Sequence, residues 1–194
     1  MGAAQQALSG YLGVAAKVYA TWNPADKGVN VTLSNGNLTW TNSGGAGVGV
    51  RSTISKTTGK HYWETTISAG TSTLFGIALG TASISTYAGT AGQWLYSQNG
   101  GGANGNKVIN GTSSVYGAGF TAGDILGCAF DADAGSLEFF KNGLSQGVAV
   151  TGLSANTYFA YTGTQNVNEI TTTNFGATAL TYTPPTGFNA GLYN

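Results

Sequence analysis

"GDILGCAFDADAGSLEFFKNG", residues 123–143, reads as two apolar strands folded back on each other. Asp131, Asp133 and Gly135 lie between the apolar runs. Aspartate side chains accept hydrogen bonds from nearby backbone amides and glycine supplies positive φ, so the segment has the chemistry of a tight turn. Working outward, the same punctuated pattern recurs. "VNVTLSNGNLTW" (29–40) alternates apolar and polar residues around Asn35-Gly36, a strong hairpin signal. Further short strands are expected at 60–68, 73–80, 93–97, 157–163 and 169–176. Their spacing, with no helical period after residue 21, predicts an all-β, antiparallel two-sheet sandwich.

The composition agrees with that reading. Only 7% of the 194 residues are charged, against about 25% in an average domain. Four Trp, ten Tyr and eight Phe supply a core, and polarity comes from Gly, Thr, Ser and Asn rather than from ions. Seven basic and seven acidic residues cancel, so no electrostatic footprint for nucleic acid is visible. No apolar run is long enough to insert in a membrane as a helix. One cysteine, Cys128, excludes an internal disulfide, and one histidine, His61, excludes a multi-histidine metal site.

Three regions stand apart. Ala4, Leu8, Tyr11, Ala15, Val18 and Trp22 recur at alternating steps of four and three, which predicts a short helical arm over residues 1–21. Leu8, Tyr11, Ala15 and Val18 are the candidates for anchoring or oligomerisation. Residues 97–119 are glycine-rich and expected to be in part a long exposed loop. Residues 184–194, beginning at the first proline of "TPPTG" (183–187), are expected to leave the sheet as an extended strap, with the sandwich itself over 22–183.

Chemistry-bearing groups are few. The Asp131–Asp133 pair could open a calcium loop, but Gly135 stands where a third ligand is needed. A glycosidase reading needs two facing carboxyls, for which Glu64 and Glu138 are the companions available. "GGGANG" (100–105) matches a dinucleotide fingerprint by letters alone, with no parallel strand before it or helix after it. No metal site and no cofactor are predicted. Tyr87, Trp94, Tyr96, Asn99, Asn104 and Asn106, around the glycine-rich segment, are the candidate ligand contacts.

Three motifs carry a resemblance. "GKHYWE" (59–64), "FGIALG" (75–80) and the 123–143 hairpin stand in the order found in SPRY domains, over roughly residues 40–176. The resemblance implies a bent two-sheet sandwich that binds proteins through loops at one end, and no enzyme. It also implies that the two aspartates belong to a structural hairpin. The flanks "ATWNPADKGVNVTLSNGNLTW" and "YTPPTGFNAGLYN" look like the edges of SPRY-like domains in tailed-bacteriophage proteins. The resulting expectation is a virion protein: a capsid decoration, fibre or tail receptor-binding protein, and a homo-oligomer. Its arm would contact other virion proteins, and its loops a host glycan or surface protein. Two alternatives stay open, an intracellular SPRY adaptor that binds a short peptide and a sandwich-fold glycan hydrolase.

Overall fold

The computed structural model describes residues 16–45, 48–85, 89–98, 104–164 and 166–194. These form fifteen strands and, among the described residues, no helix. The first five are β1 (Trp22–Lys27), β2 (Val31–Ser34), β3 (Thr39–Asn42), β4 (Val48–Lys56) and β5 (Lys60–Ala69). Next come β6 (Thr73–Leu79), β7 (Gln93–Ser97), β8 (Asn104–Ile109), β9 (Thr112–Ala118) and β10 (Ile125–Asp131). The last are β11 (Ser136–Lys141), β12 (Leu144–Val150), β13 (Tyr158–Thr164), β14 (Glu169–Asn174) and β15 (Asn189–Ala190). One sheet runs β1-β4-β13-β6-β7-β8-β9, and the other β12-β11-β10-β5-β14-β3-β2, with β15 beside β5. All pairings are antiparallel except β15 with β5.

The all-β sandwich expected from the sequence is the observed fold. Period-two alternation sends Trp63 and Ile67 of β5, Cys128 and Phe130 of β10, and Leu137 and Phe139 of β11 to the inside. Val50, Phe75, Ile77, Tyr96 and Tyr158 face them from the other sheet. Phe139 stacks on Tyr96 with centroids 5.5 Å apart, and Trp63 meets Phe75 edge-on at 6.4 Å. Such aromatic pairs add about 0.5–1.5 kcal/mol beyond area burial. A second cluster lies on the opposite face of the seven-stranded sheet, where Ala82 and Ile84 of the β6–β7 connection cover Leu74, Leu95 and Tyr161.

Three expectations are modified. Residues 104–118 are not loop but the β8–β9 hairpin, closed by Asn110 and Gly111 at φ 50° and 90°. Its glycines make room for the core. A Cβ on Gly105 would stand 2.6 Å from the Tyr96 ring, and one on Gly117 2.8 Å from the Tyr96 hydroxyl. The C-terminal strap leaves β14, then returns to the sheet as β15, paired with His61 and Tyr62. Residues 16–21 are extended rather than helical. The Ala20 amide donates to Leu192 O at 2.8 Å and the Asn194 amide to Val18 O at 3.0 Å, so strand-like pairing with the strap replaces helical bonds. Val18 is largely exposed, whereas Ala20 and Trp22 are buried. Leu8, Tyr11 and Ala15 lie outside the described residues.

Candidate functional site

The hairpin aspartates are structural. Asp131 Oδ1 accepts the Asp133 and Ala134 amides at 3.1 and 2.9 Å, and Oδ2 pairs with Lys60 Nζ at 2.9 Å. Burial works to raise the Asp131 pKa, but the Ala134 amide, Lys60 and the Asp133 amide outweigh it and hold the carboxyl below its ordinary value. Asp133 accepts the Gly59 amide at 2.8 Å, joining this turn to the start of β5. Among the described residues no cluster of three or more His, Cys, Asp or Glu could hold a metal ion.

The two glutamates considered for hydrolysis are also engaged. Glu64 is buried and accepts the Thr181 and Tyr182 amides at 2.7 and 2.9 Å, with the Tyr62 hydroxyl at 3.3 Å. It fastens residues 181–182, which lead into the strap, over the outer face of the eight-stranded sheet. Glu138 accepts the Ser145 hydroxyl across β11 and β12. A glycosidase acid must reach a sugar from an open cleft, and Glu64 lies beneath backbone instead.

The four predicted ligand contacts among the described residues do not converge on one surface. Tyr96 is fully buried, its hydroxyl donates to Ala118 O, and burial pushes its pKa up to about 12. It is core and unavailable to a ligand. Trp94 is half-buried with its ring edge-on to Tyr158 at 5.4 Å. Asn106 donates to Ser113 Oγ at 3.1 Å across the β8–β9 hairpin, and Asn104 is exposed at the start of β8. Tyr87 and Asn99 lie outside the described residues.

What the fold does bring together is a set of turns at one end of the sandwich. Val31, Asn42 and Glu169 stand abreast on β2, β3 and β14. Past this row project residues 28–30, 43–45 and 166–168, with the β5–β6 turn at 70–72 alongside. Two buried side chains organise them. Asn42 Nδ2 donates to Gly45 O at 3.1 Å and Asn166 O at 2.7 Å, while its Oδ1 accepts the Gly44 amide at 3.3 Å. Glu169 Oε1 accepts the Thr71 and Ser72 amides at 2.8 and 2.9 Å, and Oε2 the Thr73 hydroxyl at 2.7 Å. Gly44 and Gly45 pack closely on Asn30, whose side chain would have to shift to admit a Cβ at either position, 3.0 or 2.9 Å away.

The outward face of this loop end carries Val29 at 87% and Val167 at 46% exposure, with Ser43, Asn166 and Asn168 between and beside them. Asn166 Nδ2 donates to Ser72 Oγ at 2.5 Å, so the β13–β14 turn is braced against the β5–β6 turn. None of Val29, Asn42, Asn166, Val167 or Glu169 stands out in the sequence. Val29 and Glu169 open expected strands, but only strand register unites the five in one place.

A cleft of about 570 Å³ opens at the opposite end, lined by Lys56, Thr58, His61, Thr157, Asn189 and Tyr193. Lys56 Nζ donates there to Tyr193 O at 2.5 Å and Asn194 Oδ1 at 3.2 Å, spending its charge on the strap. His61 is buried at its edge, and burial lowers its pKa.

The SPRY domain family model matches residues 60–178. The chain belongs to the SPRY domain family. Ran-binding protein 9 of Xenopus tropicalis is 32% identical to this SPRY chain over 171 residues, covering 84% of it and 31% of the relative. Ran-binding protein 10 of Danio rerio is 32% identical over 165 residues, with 80% and 27% covered. The chain therefore spans less than a third of the length of these relatives. Among solved structures, the SPRY domain of human HERC1 superposes with a TM-score of 0.64 at 23% identity, over 78% of this chain and 96% of that one. The TRIM65 PSpry domain gives 0.65 at 17% identity, over 81% and 90%.

These relatives correct the expected setting. They are eukaryotic cellular proteins, so the reading as a phage virion protein, whether capsid decoration, fibre or tail protein, is overturned. The flank strings behind that reading are Gly-, Thr- and Pro-rich, a texture that suits any sandwich with extended edges.

Proposed function

We propose that this SPRY domain is a non-catalytic adaptor module that binds a short peptide segment of a partner protein through the loop end. The observation that carries the reading is the arrangement of turns from both sheets around the buried pair Asn42 and Glu169. Their hydrogen bonds hold residues 43–45, 71–73 and 166 in fixed relation, a preorganised rim on a rigid scaffold. The similarity to Ran-binding proteins 9 and 10 over most of the chain supports the adaptor reading. Carboxylates occupied by structural amides, at Glu64, Asp131 and Glu169, support binding rather than catalysis.

Backbone amide NMR tests the location. Peptides enriched from a random 12-residue library by the immobilised full chain are titrated into labelled protein. Shifts centred on residues 28–30, 43–45 and 166–168 are expected. Shifts confined to the cleft around Lys56 and Tyr193 would overturn the assignment.

A further inference from the structure

The loop end differs from the rest of the molecule in its charge. Segments 28–30, 43–45, 70–72 and 166–168 contain no Asp, Glu, Lys or Arg. Glu169, next in sequence, is 1% exposed and occupied by three donors. Of the neighbouring charges, Asp26 and Asp124 have cationic partners and Lys27 is turned onto a backbone carbonyl. Asp26 takes Arg51 Nε and Nη2 at 2.7 and 2.8 Å, Lys27 Nζ donates to Val31 O at 2.6 Å, and Asp124 pairs with Lys141 at 3.2 Å. The opposite end, by contrast, carries Lys17, Lys56, Lys60 and Asp133.

We infer that the loop end selects an uncharged stretch of its partner, held by amide and hydroxyl hydrogen bonds and by small apolar contacts at Val29 and Val167. The inference rests on the proposed peptide-binding reading and names its partner class. A partner ammonium docked here would lose water and meet no counter-charge, and a carboxylate would meet only Lys27, whose ammonium is already bonded to Val31 O, so charged sequences are disfavoured. Ser43, Asn166 and Asn168 offer neutral donors and acceptors that can satisfy a peptide backbone or an amide side chain. An extended peptide supplies such groups at each residue, with apolar side chains between them to meet the two valines.

The experiment is the 12-residue library selection, run on the full chain and on Val167→Asp, followed by affinity measurement of the enriched peptides at two salt concentrations. Val167 is exposed, so the variant is expected to fold like the parent. Enriched sequences are expected to lack charge in their shared core. Their Kd should change by less than roughly twofold between 50 and 500 mM salt, because no ion pair is there to be screened. Val167→Asp should weaken them by roughly tenfold or more through an unpaired carboxylate at the contact. Peptides that share a charged residue and weaken more than roughly tenfold in high salt, yet still respond to Val167→Asp, would overturn the inference and leave the peptide site standing. Failure to enrich any peptide, or enrichment indifferent to Val167→Asp, would overturn the loop-end reading itself. Binding to a neutral glycan array with no peptide enriched would overturn the choice of a peptide.

Discussion

Replacing Glu169 by alanine removes the acceptor on which the β5–β6 turn depends. The wild-type carboxylate accepts two amides and one hydroxyl at 2.7–2.9 Å from a position 1% exposed. Hydrogen bonds to a charged group are worth about 1.5–3 kcal/mol each, so three set an upper range of about 4.5–9 kcal/mol. Thr71 is exposed and Ser72 half-buried, so water recovers part of that loss in the variant. The expected net cost is about 3–5 kcal/mol. Glu169→Gln keeps an oxygen for the two amides, and the Thr73 hydroxyl can turn to accept from the new NH2. That variant forfeits charge assistance only, about 1–2 kcal/mol. Urea unfolding reads both. With a slope of about 2–3 kcal/mol per molar, the alanine midpoint falls by about 1–2.5 M and the glutamine midpoint by about 0.3–1 M. An alanine variant that loses less than about 1 kcal/mol would refute the assignment of Glu169 as the organiser of the loop end. So would a glutamine variant as damaged as the alanine.

Other consequences are as direct. Glu64→Ala should free the strap, so hydrogen exchange at the Thr181 and Tyr182 amides speeds by roughly a hundredfold while β10 and β11 stay protected; unchanged exchange there would count against the Glu64 clasp. His61 has its pKa held below the ordinary 6.5, first by burial, so the unfolded chain binds its proton more readily than the folded one. Stability contributed by neutral His61 is therefore present above pH 6.5 and declines as pH falls toward its folded value; thermal melts of His61→Gln should lack that slope. A separate loss should begin below about pH 4, where Asp124 and Asp131, both lowered in the fold, take up protons; Asp131→Asn should diminish it. Tyr96→Ala should cost about 3–5 kcal/mol in denaturant melts, because it empties a core position rather than a contact surface.

The sandwich was legible because turn chemistry and period-two alternation agree in the 123–143 and 29–40 hairpins. Where they disagree, strands were hidden. β4, "VGVRSTISK", has no alternation to read because both of its faces are covered, with Arg51 buried against Asp26, Leu79 O and Ala82 O. The β8–β9 hairpin hid behind Gly105 and Gly117, which look like loop residues but are clearances for the Tyr96 ring. The same Tyr96 was misread as a surface aromatic, since sequence cannot tell which face of β7 turns inward. The periodic stripe ending at Trp22 suggested a helix, yet Trp22 is the first residue of β1 and pairing of residues 18–20 with 192–194 outweighs a weak glycine-containing helix. The loop end was invisible for a different reason. Its organisers, Asn42 and Glu169, are 127 positions apart by their numbers and become neighbours only through the register of β3 with β14. Neutral binding surfaces leave no compositional trace.

The pairing of residues 18–20 with 192–194 has a mechanical consequence. Val18 and Asn194 exchange backbone hydrogen bonds at 3.2 and 3.0 Å, and Ala20 bonds to Leu192 further in. Tension applied across Val18 and Asn194 would load these bonds one after another, peeling the strands apart like a zipper rather than shearing them together. Such a seam yields at low force and reseals when the load is gone. Because it lies at the far end from residues 28–30, 43–45 and 166–168, a load applied at Val18 and Asn194 would open the seam first and leave the opposite rim in shape.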